Sequence, residues 1–147
     1  MDADVVDGAA RMKITLQHQL SIALENQPGR LALVSRLLAD HGINIEAISV
    51  IDNVEQGMVR MLTSDAAAAR RLIETRGFPV VEAEVLALYT TDRLGRLAAI
   101  SEALASAGIN IEYAYASVDH HGAHTLLVLK TSRPKKARDI LAALPEI

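Results

Sequence analysis

An α+β fold made of two copies of one unit, each an antiparallel sheet with its helices on one face, is predicted by three observations. The first is a repeat. Residues 28–46 recur as 94–112 with twelve of nineteen positions identical, at a constant offset of 66 residues and without a gap. An ungapped match of that density marks a duplicated structural unit. The second is that apolar spacing alternates between period two and helical period in the same order in both copies. The third is size: 147 residues leave each copy about 66, and a chain that short buries only about 60% of its unfolded surface. The copies are therefore expected to lean on each other or on a second chain.

The elements follow in order. Residues 1–13 begin with three aspartates, Gly8 and no periodicity, which predicts a flexible start. From Ile14 the alternation is strict, with Ile14, Leu16, His18, Leu20, Ile22 and Leu24 on one face and Gln17, Gln19, Ser21, Ala23 and Glu25 on the other. That is a half-buried strand. It is about twice the common strand length, so its first half is expected to pair with something other than its own unit.

Asn26-Gln27-Pro28-Gly29 is a turn into a helix, with proline where a missing N–H costs nothing. Leu31, Val34, Leu37 and Leu38 form the buried stripe, Arg30, Arg36 and Asp40 the wet face, and Gly42 supplies the left-handed stop. Residues 45–52 read as a strand, 53–57 as a hairpin loop and 58–63 as a strand. Ser64 reads as the N-cap of a helix over 65–76, stopped by Gly77. No glycine, proline or asparagine interrupts 80–90, so the last strand of copy one is expected to run directly into the first strand of copy two. Copy two then has a helix over 95–107, strands over 111–118 and 123–131 around a loop at 119–122, and a helix from Pro134 that Ser132 caps.

The first unit is thus β-α-β-β-α-β, the ferredoxin-like order, over residues 14–82. The second, 83–147, lacks its own last strand. Natural sheets cover such an edge, so the long first strand, or its equivalent from a partner chain, is expected to fill it.

Composition bounds the function. Half the residues are apolar but only Phe78, Tyr89, Tyr113 and Tyr115 are aromatic, and the formal net charge is -3. Scattered charge of that sign offers no footprint for nucleic acid or an anionic membrane. The absence of cysteine excludes disulfides, thiolate metal sites and cysteine nucleophiles. No run approaches the ~20 apolar residues needed to span a bilayer, and the first residues lack a signal-peptide core, so a cytoplasmic location is expected.

The repeated turn carries the candidate chemistry. The first N–H groups of a helix point outward at the positive end of its dipole; in copy one they belong to Gly29, Arg30 and Leu31. Such a cradle suits a carboxylate. Asn26 ends the first strand and Asn44 starts the next, and their amides offer an acceptor and two donors each, matching the ammonium and carboxylate of one small molecule. The two asparagines need not converge within one unit and are expected to do so across an interface. The competing reading is that Asn26 caps the turn and Gly42-Ile43-Asn44 merely ends the helix, with duplication by descent explaining the second copy.

The Asn-x-Pro-Gly-Arg-Leu turn, the helix and the Gly-Ile-Asn-Ile stop, repeated at fixed spacing, resemble the ACT domain family of small regulatory modules that bind amino acids. Glu112-Tyr113-Ala114-Tyr115-Ala116 is similar to the stand-alone tandem members, which carry two such domains and no catalytic domain. The resemblance spans residues 20–144. It implies side-by-side sheets and a ligand held where the turn of one domain meets the helix-to-strand junction of another. In the serine-sensing ACT domains of phosphoglycerate dehydrogenases the positions matching Asn26 and Asn44 contact the ligand, whereas a contacting histidine there is Leu24 here.

The expected ligand site is therefore Asn26, Pro28, Gly29, Arg30, Leu31, Asn44 and Ile45, with a second candidate site at Asp92, Gly95, Arg96, Leu97, Asn110 and Ile111. Copy two carries Asp92 for Asn26 and Leu94 for Pro28. The added charge can cap its own helix and repel a ligand carboxylate. Aspartate is also common at this place in ACT sequences and can equally receive an ammonium; the first site is ranked above the second. A small amino acid, a second copy of the chain and a regulated enzyme are the expected partners, with no cofactor, nucleic acid or membrane.

The same strand order also serves RNA-recognition domains, but these need aromatic residues on the central strands, and 58–63 and 123–131 have none. An acylphosphatase-like enzyme is the other alternative; its arginine-and-asparagine phosphate cradle is not recognisable. His120, His121 and His124 beside Asp119 form a thin metal set and read as solvated loop histidines. His18 and His41 read as structural, and Arg133, Lys135, Lys136 and Arg138 as a solvated helix face.

Overall fold

A computed structural model describes residues 12–53, 56–91, 94–118 and 124–145. Its elements are β1 (Lys13–Glu25), α1 (Arg30–Asp40), β2 (Ile45–Asn53), β3 (Gln56–Thr63), α2 (Ala66–Thr75), β4 (Val80–Thr90), α3 (Arg96–Ser106), β5 (Ile111–Val118), β6 (Thr125–Thr131) and α4 (Pro134–Ala142). Contacts divide them into a first unit, His18–Ala83, and a second comprising the described residues up to Gln17 and from Glu84 onward. The α+β class and the ferredoxin-like order are what the alternating periods predict.

In the first unit the strands lie in the order β2-β3-β1-β4, with β3 antiparallel to both β1 and β2. Leu20, Ile22 and Leu24 of β1 and Val59 and Met61 of β3 meet Val34 and Leu38 of α1 and Ala69 and Ile73 of α2 in one core. The period-two face of a strand and the 3.6-residue stripe of each helix supply these positions.

In the second unit the order is β1-β4-β6-β5. Leu86, Leu88, Leu127 and Leu129 pack under Ile100 and Leu104 of α3 and Ala137 and Leu141 of α4. Met12, Ile14 and Leu16 pack against this same core. The start of β1 thus stands where the second copy has no last strand of its own. One 13-residue strand serves both units, which is why its alternation runs to twice the usual length. β4 does the same from its other end, contributing Val80 to the first core and Leu86 and Leu88 to the second.

Local details depart from the expected pattern. Ser64 does not cap α2: Asp65 is the N-cap, and its Oδ1 accepts from Ala68 N–H at 3.0 Å. Ser132 likewise caps nothing, the N-cap of α4 being Arg133. Both serines are drawn instead to the helix-to-strand junctions. Asn44 N–H donates to Ser64 Oγ at 2.9 Å while Ser64 N–H donates to the Asn44 carbonyl at 2.9 Å. Asn110 and Ser132 repeat the exchange at 3.2 and 3.1 Å. Two bonds between strand ends outcompete one cap bond.

Gln19, expected on the wet face of β1, is fully buried, and its amide donates to Ser21 Oγ at 3.3 Å. His18, expected in the apolar row, has a 62% exposed side chain whose Nδ1 lies 3.7 Å from Glu82. The first core begins at Leu20 and the second ends at Leu16, so position 18 faces neither. Glu82 also pairs with Arg70 at 3.3 Å; bonding to Glu74, and then to Glu82, raises the Arg70 pKa further above its ordinary value.

Candidate functional site

The turn before α1 is built around Gly29. It occupies the N-cap position at φ +89°, the left-handed region that L side chains rarely adopt, and Gly95 repeats this before α3 at φ +83°. A glycine cap brings no side-chain acceptor, so nothing on the cap residue quiets the first-turn N–H groups, in contrast to Asp65 at α2. Arg30 N–H turns back to the Gln27 carbonyl at 3.4 Å. The N–H groups of Gly29 and Leu31 have no backbone acceptor among the described residues.

An added Cβ at Gly29 would meet nothing within 4 Å. The glycine is therefore required by its backbone angle and not by crowding. Replacing it with alanine should cost about 1–2 kcal/mol, read as a lower denaturation midpoint with an unchanged slope; an unchanged midpoint would mean that the turn relaxes without strain.

Polar side chains surround this end of the unit. Asn26 Nδ2 donates to Asp52 Oδ1 at 3.1 Å, and Arg30 reaches back to Glu25 at 3.2 Å. Arg96 repeats the reach, donating to Thr91 Oγ1 at 3.3 Å, five residues back in both copies. Its Nε is buried without a hydrogen-bond partner among the described residues. Asp52 escaped the sequence reading. The signal that could have found it is register: Asp52 pairs with Gly57 and Glu25 with Gln56, so the end of β2 lies beside the turn. The position 66 residues later is Val118, so the second copy has no equivalent acid.

Asn44 and Ile45 lie at the opposite end of α1. There Gly42 and Ile43 close the helix by donating to the Ala39 and Leu38 carbonyls, and Gly108 and Ile109 repeat the closure with the same distances. The Asn44 side chain is exposed; only its backbone is committed to Ser64. Both junctions continue into a β-bulge, between Ile45 and Ala47 and between Ile111 and Tyr113.

The two halves of the expected site do not meet within the first unit. Glu25 pairs with Gln56 and Ile45 with Thr63, so the turn and the junction are seven residues apart along β3, about 24 Å at 3.4 Å per residue. A groove lined by Gly29, Ala32, Leu33, Ser35, Arg36 and Ala39 runs from the turn along the outside of α1.

Gly95, Arg96, Leu97, Asn110 and Ile111 reproduce the arrangement around α3, while Asp92 lies outside the described residues, as do His120 and His121. His124 precedes β6 without joining it, and His41 Nδ1 sits 2.9 Å from the Leu37 carbonyl at the end of α1. Among the described residues no group of three or more histidines, aspartates or glutamates could hold a metal, and no helix is long and apolar enough to cross a membrane.

Comparison with known proteins agrees with this fold. A family profile described as an ACT domain pair matches residues 14–144. Among solved structures, protein BT0572 from Bacteroides thetaiotaomicron is 30% identical with a TM-score of 0.80, the match covering 87% of this chain and 88% of that one. The regulatory subunit of aspartate kinase from Thermus thermophilus, in its ligand-free form, is similar in fold at 20% identity and a TM-score of 0.67, covering 88% and 93%. The corresponding subunit from Thermus flavus gives 21% and 0.64 over 89% and 92%. Among curated proteins none matches the sequence.

Proposed function

The chain belongs to the family of ACT domain pairs, and on that premise we propose that it is a non-catalytic regulatory module that takes up a small free amino acid and signals its occupancy to a partner protein. The observation that carries this reading is the uncapped turn at Gly29. Two outward N–H groups at the positive end of α1 suit a carboxylate, and Asp52, held by Asn26 at 3.1 Å, suits an ammonium. The two charges of an amino acid backbone thus find complementary groups at one end of the first unit. Asn44 joins from a second copy, because its own unit holds it about 24 Å away.

Regulation has a stated thermodynamic content here. A ligand bound across an interface favours the assembled state by its differential affinity, and the partner reads that shift. The second copy keeps the glycine and the arginine but replaces Asn26 with Asp92 and Asp52 with Val118, so the first turn is the principal site. Regulatory subunits of aspartate kinase with this fold make an enzyme a reasonable type of partner.

Thermal melting against each common amino acid tests the reading. A ligand at about 100 times its dissociation constant should stabilise the fold by about 2.7 kcal/mol, and Asn44→Ala should abolish the shift while leaving the unliganded melting temperature unchanged, since only the Asn44 backbone is engaged. A panel in which no amino acid moves the transition would sink the proposal.

A further inference from the structure

The first unit has a second cavity, at the other end of α1 from the Gly29 turn. It holds about 400 Å³ between Gly42 and Ile43, where α1 closes, and Ala68 and Leu72 of α2, with His41, Asp65 and Arg71 at its rim. That volume falls in the range of small-molecule sites. The length of α1, about 16 Å at 1.5 Å per residue, separates it from Gly29, and Asn44 does not line it.

The floor is apolar and the rim is charged. Ile43 is 7% exposed, and Ala68 and Leu72 pack against the first core. These two follow Asp65 at helical spacing, so α2 presents to the cavity one stripe that starts at an acid and ends beside a base. Asp65 commits one carboxylate oxygen to the Ala68 N–H at 3.0 Å; the other has no partner among the described residues. The Arg71 guanidinium likewise has no ion pair or hydrogen bond among the described residues, whereas Arg70 beside it is held by Glu74 and Glu82. Asp65 and Arg71 stand about 9 Å apart along the helix axis, too far to satisfy each other. His41 is fixed in place: its Nδ1 lies 2.9 Å from the Leu37 carbonyl, an acceptor, so that nitrogen carries the proton.

The second copy shows that the fold does not require this wall. The exchange between Asn110 and Ser132 fixes the matching positions, and there His41, Asp65, Ala68 and Arg71 become Ala107, Arg133, Lys136 and Asp139. Ala69 and Ile73 match Ala137 and Leu141, which are as fully buried. The core positions are thus maintained while the wall is replaced. A lysine stands in the floor, and Asp139 is paired with Arg138 at 3.4 Å.

We propose that this cavity binds a small zwitterion whose two charges sit at opposite ends of an apolar chain, the plan of an ω-amino acid. The ammonium meets Asp65, the carboxylate meets Arg71 as a bidentate pair, and the chain lies over Ile43, Ala68 and Leu72. The distance between the two charges selects against short α-amino acids. One ligand binds per chain, because the second copy lacks the site. The proposal stands on this cavity alone and does not rest on the function proposed for the Gly29 turn.

The probe is ε-aminocaproate, an unbranched chain with one charge at each end. Added to the full chain, it should move the backbone amide resonances of Gly42, Ile43 and Leu72 saturably and leave those of Gly29 and Leu31 in place. Hexanoate and hexylamine, each lacking one charge, should bind about fivefold more weakly. γ-Aminobutyrate, too short to reach both charges, should bind no better than these two. Asp65→Asn, which keeps a good N-cap, and Arg71→Gln should each weaken the probe by about the same factor and leave the melting temperature unchanged. Equal binding of hexanoate and ε-aminocaproate, or shifts confined to the Gly29 turn, would overturn the proposal. Shifts at the cavity, with Gly29 unresponsive to every amino acid, would support the cavity and count against the function proposed for the turn, so the two can fail separately.

Discussion

A chain that begins at His18 is expected to lose the fold of its second unit while its first unit survives. Such a chain keeps Leu20, Ile22 and Leu24, the part of β1 that belongs to the first core, but loses Ile14 and Leu16 from the second. Fully burying one such side chain is worth about 1.5–3 kcal/mol. Three that are partly buried, Met12 included, should together contribute about 4 kcal/mol, before counting the ladder that β4 would lose. A unit of this size has about 3–10 kcal/mol of stability in all, so the deficit is comparable with the whole. Hydrogen exchange is the suitable readout. Amides of α3 and α4 should lose protection in the chain starting at His18, those of α1 and α2 should keep it, and a chain starting at Met12 should behave as the parent. Persisting protection in α3 and α4 would show that the start of β1 is dispensable.

The second large effect concerns Leu38 and Leu104. They occupy equivalent positions 66 residues apart, and both are completely buried. Truncation of a buried leucine to alanine removes its transfer free energy and leaves a cavity, at about 2–5 kcal/mol. Leu38→Ala and Leu104→Ala should fall in that range. Each should also act on its own unit, because Leu38 touches the first core and Leu104 the second. Denaturant unfolding followed by a probe in each unit checks both points. A cost below about 1 kcal/mol at either position would mean that its surroundings collapse freely.

Much of the fold was legible because the local rules agree. The repeat announced two units, period-two spacing placed β1, the lack of glycine, proline and asparagine over 80–90 marked β4, and glycines 42, 77 and 108 stopped the helices where left-handed closure was needed. The excessive length of β1 was itself the sign that it serves two cores. What was not legible depends on pairing between distant elements. Ser64 and Ser132 satisfy every local rule for an N-cap, yet each is claimed by an asparagine about 20 residues earlier. Gln19 alternates correctly and is nevertheless buried. Asp52 joins the candidate site only through strand register, and no spacing rule around the turn would have found it.

The candidate site was legible in its residues and not in its completeness. Asn26, Gly29, Arg30 and Leu31 gather at one end of α1, while Asn44 and Ile45 stand at the other. The sequence marks both halves with the same repeated motif. Only the register shows that a single unit holds them too far apart for one small molecule.

The central claim is that the N–H groups at the start of α1 receive an amino acid carboxylate, and the backbone amide resonances of Gly29 and Leu31 report on it most directly. Titration with an amino acid that raises the melting temperature should move these two resonances saturably, with a smaller response at Gly95 and none at Ala68, whose N–H is already held by Asp65 at 3.0 Å. Saturable shifts elsewhere, with Gly29 and Leu31 unmoved, would contradict the account.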